Sequence, residues 1–276
     1  MNSVMLGMLA ETPIHPGTGR SLGVVDLPVA REAATDYPMI PSSGFKGALR
    51  DLAERLPAGE NGPDVDRTFG SPGRAGELLV SDVRLLLLPV RSLTGAYRWA
   101  TCPHLLERFA RDLRRCGLEP GFAIPRVEEQ HVLAEGSGAL FLEERQFQVA
   151  GPVPEEIVTG LTGVIPDADA RNRLRHRLAV LADDDFAWFV RYGLQVQARN
   201  VLEDGTKKSI NLWYEETLPP DTVMYALLTG RNDGSLQVLD TLFPDRAGYI
   251  QAGGNETVGH GWFQVRRLGR DAEGGA

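Results

Sequence analysis

The sequence has few cysteines and no long apolar run. Cys102 and Cys116 are the only cysteines among 276 residues, which is too few for a disulfide framework or a zinc site built from cysteines. No apolar stretch approaches the roughly 18 residues that a membrane helix needs. The start, MNSVMLGMLAETP, has neither the basic region nor the cleavage site of a signal peptide. We therefore expect a cytoplasmic protein with no membrane partner.

The net charge of −8 argues against a nucleic-acid partner, but the acidic excess is local. Residues 119–169 hold ten acidic and two basic side chains, which accounts for the whole net charge. The rest of the chain is balanced, so a basic groove elsewhere fits the composition. Only three of the 29 basic residues are lysine. Because a GC-rich genome also enriches arginine, this bias carries no functional information.

The first part of the chain reads as a strand, a long loop and a helix. Residues 3–10 form the strand, and the loop runs from Glu11 to about Pro38. A loop of this length exceeds a simple connection and is typical of a functional segment. Ser42 or Ser43 can cap the helix that follows. Its apolar residues fall on one face: Phe45, Leu49, Leu52 and Leu56.

The remaining elements predict an α+β fold. In chain order they are a buried strand over 78–90, a helix over 101–117, a strand and a capped helix that begins in residues 183–185, a hairpin turning at Asp204-Gly205, a strand over 221–230, a short helix over 234–243 and a strand over 262–268. This order indicates a modified ferredoxin-like, or RRM-like, core with large insertions, a mostly antiparallel sheet and helices on one face. We interpret residues 1–276 as a single domain with an insertion around 119–170.

Two residues of the long loop are candidates for catalysis. His15, in TPIHPGTG, can act as a general acid or base because the pKa of histidine lies near neutrality. A structural or surface histidine is the alternative. Asp26, in GVVDLPV, is a carboxylate among apolar neighbours. It is a candidate metal ligand or base, or a residue that caps a turn.

Three further segments are candidate binding or catalytic sites. In SSGFKGALR, free N–H groups at the helix start favour an anion, and Lys46 and Arg50 lie one turn apart; an ordinary capped helix is the alternative. The loop AGGNETVGHG lacks the Lys-Ser/Thr pair of a Walker loop and runs into a strand, so its glycines indicate either close approach of a sugar-phosphate chain or a tight turn. Glu215 and Glu216 are adjacent on a predicted strand and point to opposite faces, which excludes a glycosidase pair.

Taken in order, five segments resemble the RAMP superfamily of CRISPR proteins, and within it the backbone subunits of type III-B (Cmr) effector complexes. The segments are TPIHPGTG, VDLPVAREAATDYPMIPSSGFKGALRD, LLLLPVRSLTGAYRWATCP, LWYEE and QAGGNETVGHGWFQV. The resemblance covers residues 12–50, 78–110, 211–228 and 249–265, whereas the acidic middle matches weakly.

The resemblance implies an RRM-like core with a thumb hairpin and a lid. It implies that copies of the chain form a head-to-tail filament along a guide RNA (crRNA), together with other Cmr complex subunits. It also implies an endoribonuclease that cuts single-stranded target RNA, paired with the guide, at regular intervals with a divalent metal ion, Mg²⁺ or Mn²⁺. The position of the thumb does not follow from the sequence.

The resemblance also implies residue roles. Asp26 falls on the catalytic, metal-binding aspartate and His15 on a histidine suspected of assisting it, while Tyr214 and Glu215 fall near the site. Lys46 falls on a lysine that contacts the guide. The implied RNA-binding set is Ser43, Lys46, Arg50, Gly253, Gly254, Asn255, Gly259 and Gly261.

Three alternatives stay open at the level of sequence. One is a stand-alone guide-processing ribonuclease that uses a histidine and no metal. Another is a scaffold that binds guide RNA and cuts nothing. The third, from a different class, is a small-molecule hydrolase that uses Glu215 with Asp26.

Overall fold

The computed structural model describes residues 2–21, 23–56, 64–232 and 234–269. The strands are β1 (Ser3–Ala10), β2 (Met39–Ile40), β3 (Gly70–Ser71), β4 (Arg74–Ala75), β5 (Leu78–Val80), β6 (Val83–Arg91), β7 (Tyr97–Thr101), β8 (His131–Ala134), β9 (Ala139–Leu142), β10 (Arg145–Gly151), β11 (Leu178–Leu181), β12 (Gln195–Leu202), β13 (Ser209–Thr217), β14 (Val223–Gly230), β15 (Ala247–Gln251) and β16 (Trp262–Leu268). The α-helices are α1 (Ser42–Glu54), α2 (Val65–Phe69), α3 (Pro103–Arg115), α4 (Glu155–Thr162), α5 (Ala168–Arg177), α6 (Asp183–Tyr192) and α7 (Val238–Leu242). Short 3₁₀ turns span Pro244–Arg246 and Glu256–Val258.

One twelve-stranded sheet forms the centre of the molecule. Its main path runs β15-β16-β1-β14-β6-β7-β11-β8-β10-β9, with β2 paired to β6 and β5 paired to β14. Of the strand pairs in the described residues, β7–β11 and β8–β10 are parallel and the others antiparallel. The predicted α+β fold with a mostly antiparallel sheet is therefore confirmed.

The sheet is covered by helices on both faces, so the expectation of a single helical face is wrong. Residues of β1 alternate between two apolar clusters, with Met8 packed in one and Met5 in the other. Helices α1, α6 and α7 contribute to the first cluster, α4 and α5 to the second, and α3 to both. The reason lies in the sequence of β1, SVMLGMLA, which is apolar at successive positions. Both faces of this strand must therefore be buried, and helices pack on each of them.

Three predicted details differ from the structure. The strand predicted over 78–90 is interrupted at Ser81 and Asp82, because the Asp82 carboxylate turns to accept a 2.7 Å hydrogen bond from the Ser42 N–H. Asp82, rather than a serine, therefore caps α1. The first residues of α6 also do not cap their own helix; Asp183 accepts from the His104 N–H and Asp185 from the Gln130 N–H.

The acidic middle extends the main sheet. Strands β8, β9 and β10 lie at one edge, and α4 packs on the second apolar cluster. The short strands predicted there are confirmed, while α4 was missed. The interpretation of these residues as an insertion in a single domain stays a prediction. In the part of the chain that is described, no helix is both long and apolar enough to span a membrane.

The β12–β13 hairpin stands apart from the sheet. It forms a two-stranded sheet of its own and turns at Asp204-Gly205, as predicted, with Gly205 at φ +90°. Most of its side chains are exposed, including large apolar ones: Val196, Val201, Leu202, Ile210 and Leu212. The base of this hairpin meets the long loop, residues 11–38, and thereby builds the site described next.

Candidate functional site

A large cleft near the predicted residues has a volume of about 750 Å³. It lies between the long loop, the start of α1 and the Gly-rich loop at residues 253–261. Six of its sixteen lining residues are glycines, so part of its wall is bare backbone. The lining includes His15, Gly17, Leu27, Ser43, Gly44, Gly47, Gly253 and Gly254.

His15 joins the long loop to the Gly-rich loop. Its ring is buried, and Nδ1 donates a 2.8 Å hydrogen bond to the Glu216 carbonyl oxygen. In the neutral ring, Nε2 is therefore left as an acceptor. A Cβ at Gly17 would lie 2.7 Å from Nε2, so only glycine leaves room there. The His15 backbone carbonyl in turn accepts from the Gly254 N–H at 2.8 Å.

Asp26 is fixed to the base of the hairpin by backbone hydrogen bonds. Its Oδ2 accepts from the Tyr214 N–H at 2.8 Å. Leu27 then pairs with β13, donating to the Tyr214 carbonyl and accepting from the Glu216 N–H, both at 3.0 Å. The other oxygen, Oδ1, accepts no hydrogen bond within the described ranges. The Asp26 side chain is half-buried. Its carboxylate is therefore held in place by one oxygen while the other oxygen is free.

The two adjacent glutamates point to opposite faces of β13, as predicted. Glu216 is buried and binds the long loop, since Oε1 accepts from Arg31 Nη2 at 2.7 Å and Oε2 from the Val29 N–H at 3.0 Å. Glu215 is also buried and accepts from Asn255 Nδ2 of the Gly-rich loop. The Glu215 and Asp26 carboxyl groups have different partners and share no hydrogen bond in the described residues, which disfavours the hydrolase alternative.

The Gly-rich loop folds back on itself and needs its glycines to do so. Gly253, Gly259 and Gly261 have φ of +107°, +83° and +82°, and Asn255 is left-handed at +62°. A Cβ at Gly261 would meet the Ala252 carbonyl oxygen at 2.3 Å. A tight turn is therefore one reason for these glycines, and their contact with RNA stays a prediction.

Helix α1 divides the other predicted RNA-binding residues between two clefts. Ser43 lines the large cleft, whereas Lys46 and Arg50 line a shallower one of about 470 Å³, together with Arg74 and Arg231. Burial, and then the charge of Arg231, lowers the pKa of the Lys46 ammonium. Arg50 bonds to Glu54, Asp66 and the Gly70 carbonyl, so its donors are engaged by the fold. As RNA-contacting residues, both stay predictions.

Two residues at this site were not predicted. Arg199 of β12 lies opposite Trp213 of β13, and its Nη2 is 3.2 Å from His260 Nε2 in the Gly-rich loop. The sequence held a signal for Arg199, because the Asp204-Gly205 turn pairs the two strands. That pairing and the alternation of side chains put residues 199, 213 and 215 on one face.

No group of three or more His, Cys, Asp or Glu side chains that could hold a metal ion lies in the described part of the chain. The free oxygen of Asp26 is a single ligand. A divalent ion held there would take its other ligands from water and from the phosphate of a substrate, as Mg²⁺ does at sites with one or two carboxylates.

Known proteins resemble this chain over nearly its whole length. Residues 8–264 match the family model described as RAMP superfamily. The chain is 34% identical, over 96% of its length and 95% of the relative, to the CRISPR system Cmr endoribonuclease Cmr4 of Pyrococcus furiosus. It is 23% identical, over 94% of each chain, to the CRISPR system CMR subunit Cmr4 of Saccharolobus solfataricus.

Solved structures show the same fold. The crystal structure of oligomeric Cmr4 from Pyrococcus furiosus superposes with a TM-score of 0.77, at 26% identity over 98% of this chain and 99% of that chain. A chain of the type III-B Cmr-beta complex bound to cognate target RNA gives 0.77 at 20% identity over 97% of each chain; at this identity the likeness concerns the fold alone.

Proposed function

The chain belongs to the RAMP superfamily and, within it, to the Cmr4 family, and we propose that it is a backbone subunit of a type III-B CRISPR effector complex that binds guide RNA and cleaves the target RNA paired with it. The observation that carries this proposal is the Asp26 carboxylate, which is fixed on the Tyr214 N–H beside a glycine-lined cleft with one oxygen free.

The partners follow from the relatives. One is named an endoribonuclease, one was solved as an oligomer, and one was solved within a complex bound to target RNA. We therefore assign guide RNA, single-stranded target RNA, further copies of this chain and the other Cmr complex subunits as partners, in the cytoplasm. The exposed β12–β13 hairpin is the element that fits the implied thumb.

The chemistry requires little from the protein because RNA carries its own nucleophile. The 2′-oxygen forms a bond to the adjacent phosphorus, the bond from phosphorus to the 5′-oxygen breaks, the 2′-hydroxyl loses its proton and the 5′-oxygen gains one. The products are a 2′,3′-cyclic phosphate and a 5′-hydroxyl. Alignment of the attacking oxygen and stabilisation of developing charge supply most of the acceleration.

We assign these tasks to Asp26 and His15. The free oxygen of Asp26 would accept the 2′-hydroxyl proton or hold a divalent ion, and His15 Nε2 faces the space that Gly17 leaves open. When bound, a Mg²⁺ or Mn²⁺ ion at Asp26 supplies Lewis-acid stabilisation of phosphate charge. We assign the contacts with guide RNA to the cleft wall around Ser43 and to Lys46.

Cleavage of an end-labelled, guide-complementary RNA by the reconstituted complex tests the proposal. We expect a regular ladder of products that is lost in Asp26→Asn and in EDTA while guide binding is retained. An unchanged ladder in the variant would remove Asp26 from the reaction. Tight guide binding without cleavage by the wild type would favour the scaffold alternative, and EDTA-resistant cleavage by the isolated chain would favour guide processing.

A further inference from the structure

A guanidinium and an imidazole form a pair at the base of the hairpin, outside the residues assigned so far. Arg199 extends from β12 toward the Gly-rich loop, where its Nη2 lies 3.2 Å from His260 Nε2 and 3.9 Å from Glu215 Oε1. The guanidinium is therefore held between an element of the hairpin and an element of the loop.

The protonation of this pair follows from its chemistry. A guanidinium has five N–H donors and no acceptor, so His260 Nε2 must accept. The ring is then neutral and carries its hydrogen on Nδ1. Burial, and then the positive charge of Arg199, lowers the pKa of His260, which agrees with a neutral ring at neutral pH.

Two donors of the pair are left without an acceptor. His260 Nδ1 and Arg199 Nε are buried and have no hydrogen-bond partner among the described residues. Buried donors without partners destabilise a folded chain, and native proteins hold few of them. The Arg199 side chain is 30% exposed, and its third nitrogen, Nη1, has no partner among the described residues and is not one of the buried atoms, so Nη1 is the donor that a ligand can reach. An arginine fixed on two sides with unfilled donors suits a phosphate group.

The position of Arg199 relates it to the candidate catalytic carboxylate. The Tyr214 N–H holds Asp26, and the next residue of β13, Glu215, lies beside Arg199. At 3.9 Å the Glu215 carboxylate orients the guanidinium without a close hydrogen bond, and its own donor is Asn255. Consecutive residues of β13 thus contact Asp26 and Arg199. A carboxylate and a cation are both groups that can act on a reacting phosphate.

We propose that Arg199 binds the scissile phosphodiester of the target RNA and stabilises the charge that develops on its nonbridging oxygens, and that His260 is a positioning residue that holds the guanidinium through Nε2. This inference rests on the proposed function, since it assigns the cation of the same reaction. It adds a side chain of β12 to a site otherwise built from β13, the long loop and the Gly-rich loop.

Single-turnover cleavage by the reconstituted complex at saturating target RNA tests the role of Arg199. Arg199→Ala should slow cleavage about 100-fold with guide and target affinities unchanged. Added guanidinium ion should restore part of the rate, whereas sodium chloride at the same ionic strength should not. Lys208→Ala is the matched control, because it removes one positive charge from the exposed end of the same hairpin and should cleave at the wild-type rate.

Two substitutions of His260 test whether its role depends on the Nε2 acceptor. A glutamine reaches the position of Nε2 and can accept from Arg199, so His260→Gln should stay near the wild-type rate. An asparagine is too short, so His260→Asn should slow cleavage as Arg199→Ala does. A folded complex in which Arg199→Ala cuts at the full rate, or loses only RNA affinity, overturns the assignment of Arg199 alone. A wild-type complex that does not cut overturns the proposed function as well.

Discussion

The carboxylate of Asp26 accepts a hydrogen bond from the backbone N–H of Tyr214, 188 positions later in the chain, at 2.8 Å. The donor is a backbone group, so the tyrosine ring is not needed to place the carboxylate. Tyr214 as a whole is 44% exposed. The hairpin therefore sets the position of Asp26 by its backbone, and any movement of the hairpin base moves the carboxylate with it.

Asp26→Asn and Asp26→Ala should separate the structural role of Asp26 from its chemical role. Asparagine keeps an oxygen that accepts from the Tyr214 N–H, so the Asp26→Asn protein should melt at the wild-type temperature while its cleavage is lost. Alanine leaves that N–H without its partner, so the Asp26→Ala protein should have a free energy of unfolding about 1 kcal/mol lower. Thermal melting and single-turnover cleavage measure the two effects. Equal melting temperatures for both variants would show that the hydrogen bond contributes nothing to stability.

Arg31→Ala should destabilise the protein through Glu216. Arg31 bonds the buried Glu216 carboxylate at 2.7 Å and the Val190 and Asp36 carbonyls at 2.7 and 2.9 Å. Without Arg31 the Glu216 carboxylate would be buried without its positive partner, so we expect a loss of about 3 kcal/mol in the free energy of unfolding. The long loop that carries Asp26 should loosen, and cleavage should fall as a consequence.

Urea denaturation measures this loss, with Arg111→Ala as the control. Arg111 also forms an ion pair, with Glu107 at 3.0 Å, but both side chains are more than half exposed. Exposed pairs contribute little, so the control should lose no more than about 0.5 kcal/mol. If both variants unfolded at the same urea concentration, Arg31 would not be the anchor of the long loop.

Sequence reasoning succeeded where the signal is local and failed where partners come from distant segments. The periodicity of Phe45 and Leu49 predicted α1, and the Asp204-Gly205 pair predicted the hairpin. The cap of α1 was assigned to a serine because Asp82 lies 40 positions away. Arg199 was missed for the same reason, since its contact with His260 depends on how the hairpin sits against a loop 61 positions later. The roles of Asp26 and His15 came from the family resemblance rather than from spacing.

Gly47→Ala should raise stability and lower guide affinity together. Gly47 lies inside α1, is exposed and lines the large cleft, and a Cβ at this position would have open space around it. Alanine favours a helix over glycine by about 1 kcal/mol, so the melting temperature of the free chain should rise. A methyl group there would hold an RNA backbone away from the helix, so the Kd for guide RNA should increase. Unchanged affinity in the stabilised variant would show that the guide does not pass over this face.

Lys46→Ala should reduce both the affinity for guide RNA and its dependence on salt. Lys46 is half-buried on the opposite side of α1 from the large cleft, and its ammonium has no hydrogen-bond or ion-pair partner among the described residues. Burial, and then the charge of Arg231, lowers the pKa of the Lys46 ammonium, and a bound phosphate would relieve the repulsion between the two cations. Loss of one phosphate contact should reduce the slope of log Kd against log salt concentration by about 0.7 for a single strand.

Filter binding across a salt series measures the slope, and Arg111→Ala, which removes an exposed charge on α3, should leave it unchanged. An unaltered slope for Lys46→Ala would place the guide elsewhere and leave this lysine with a structural role.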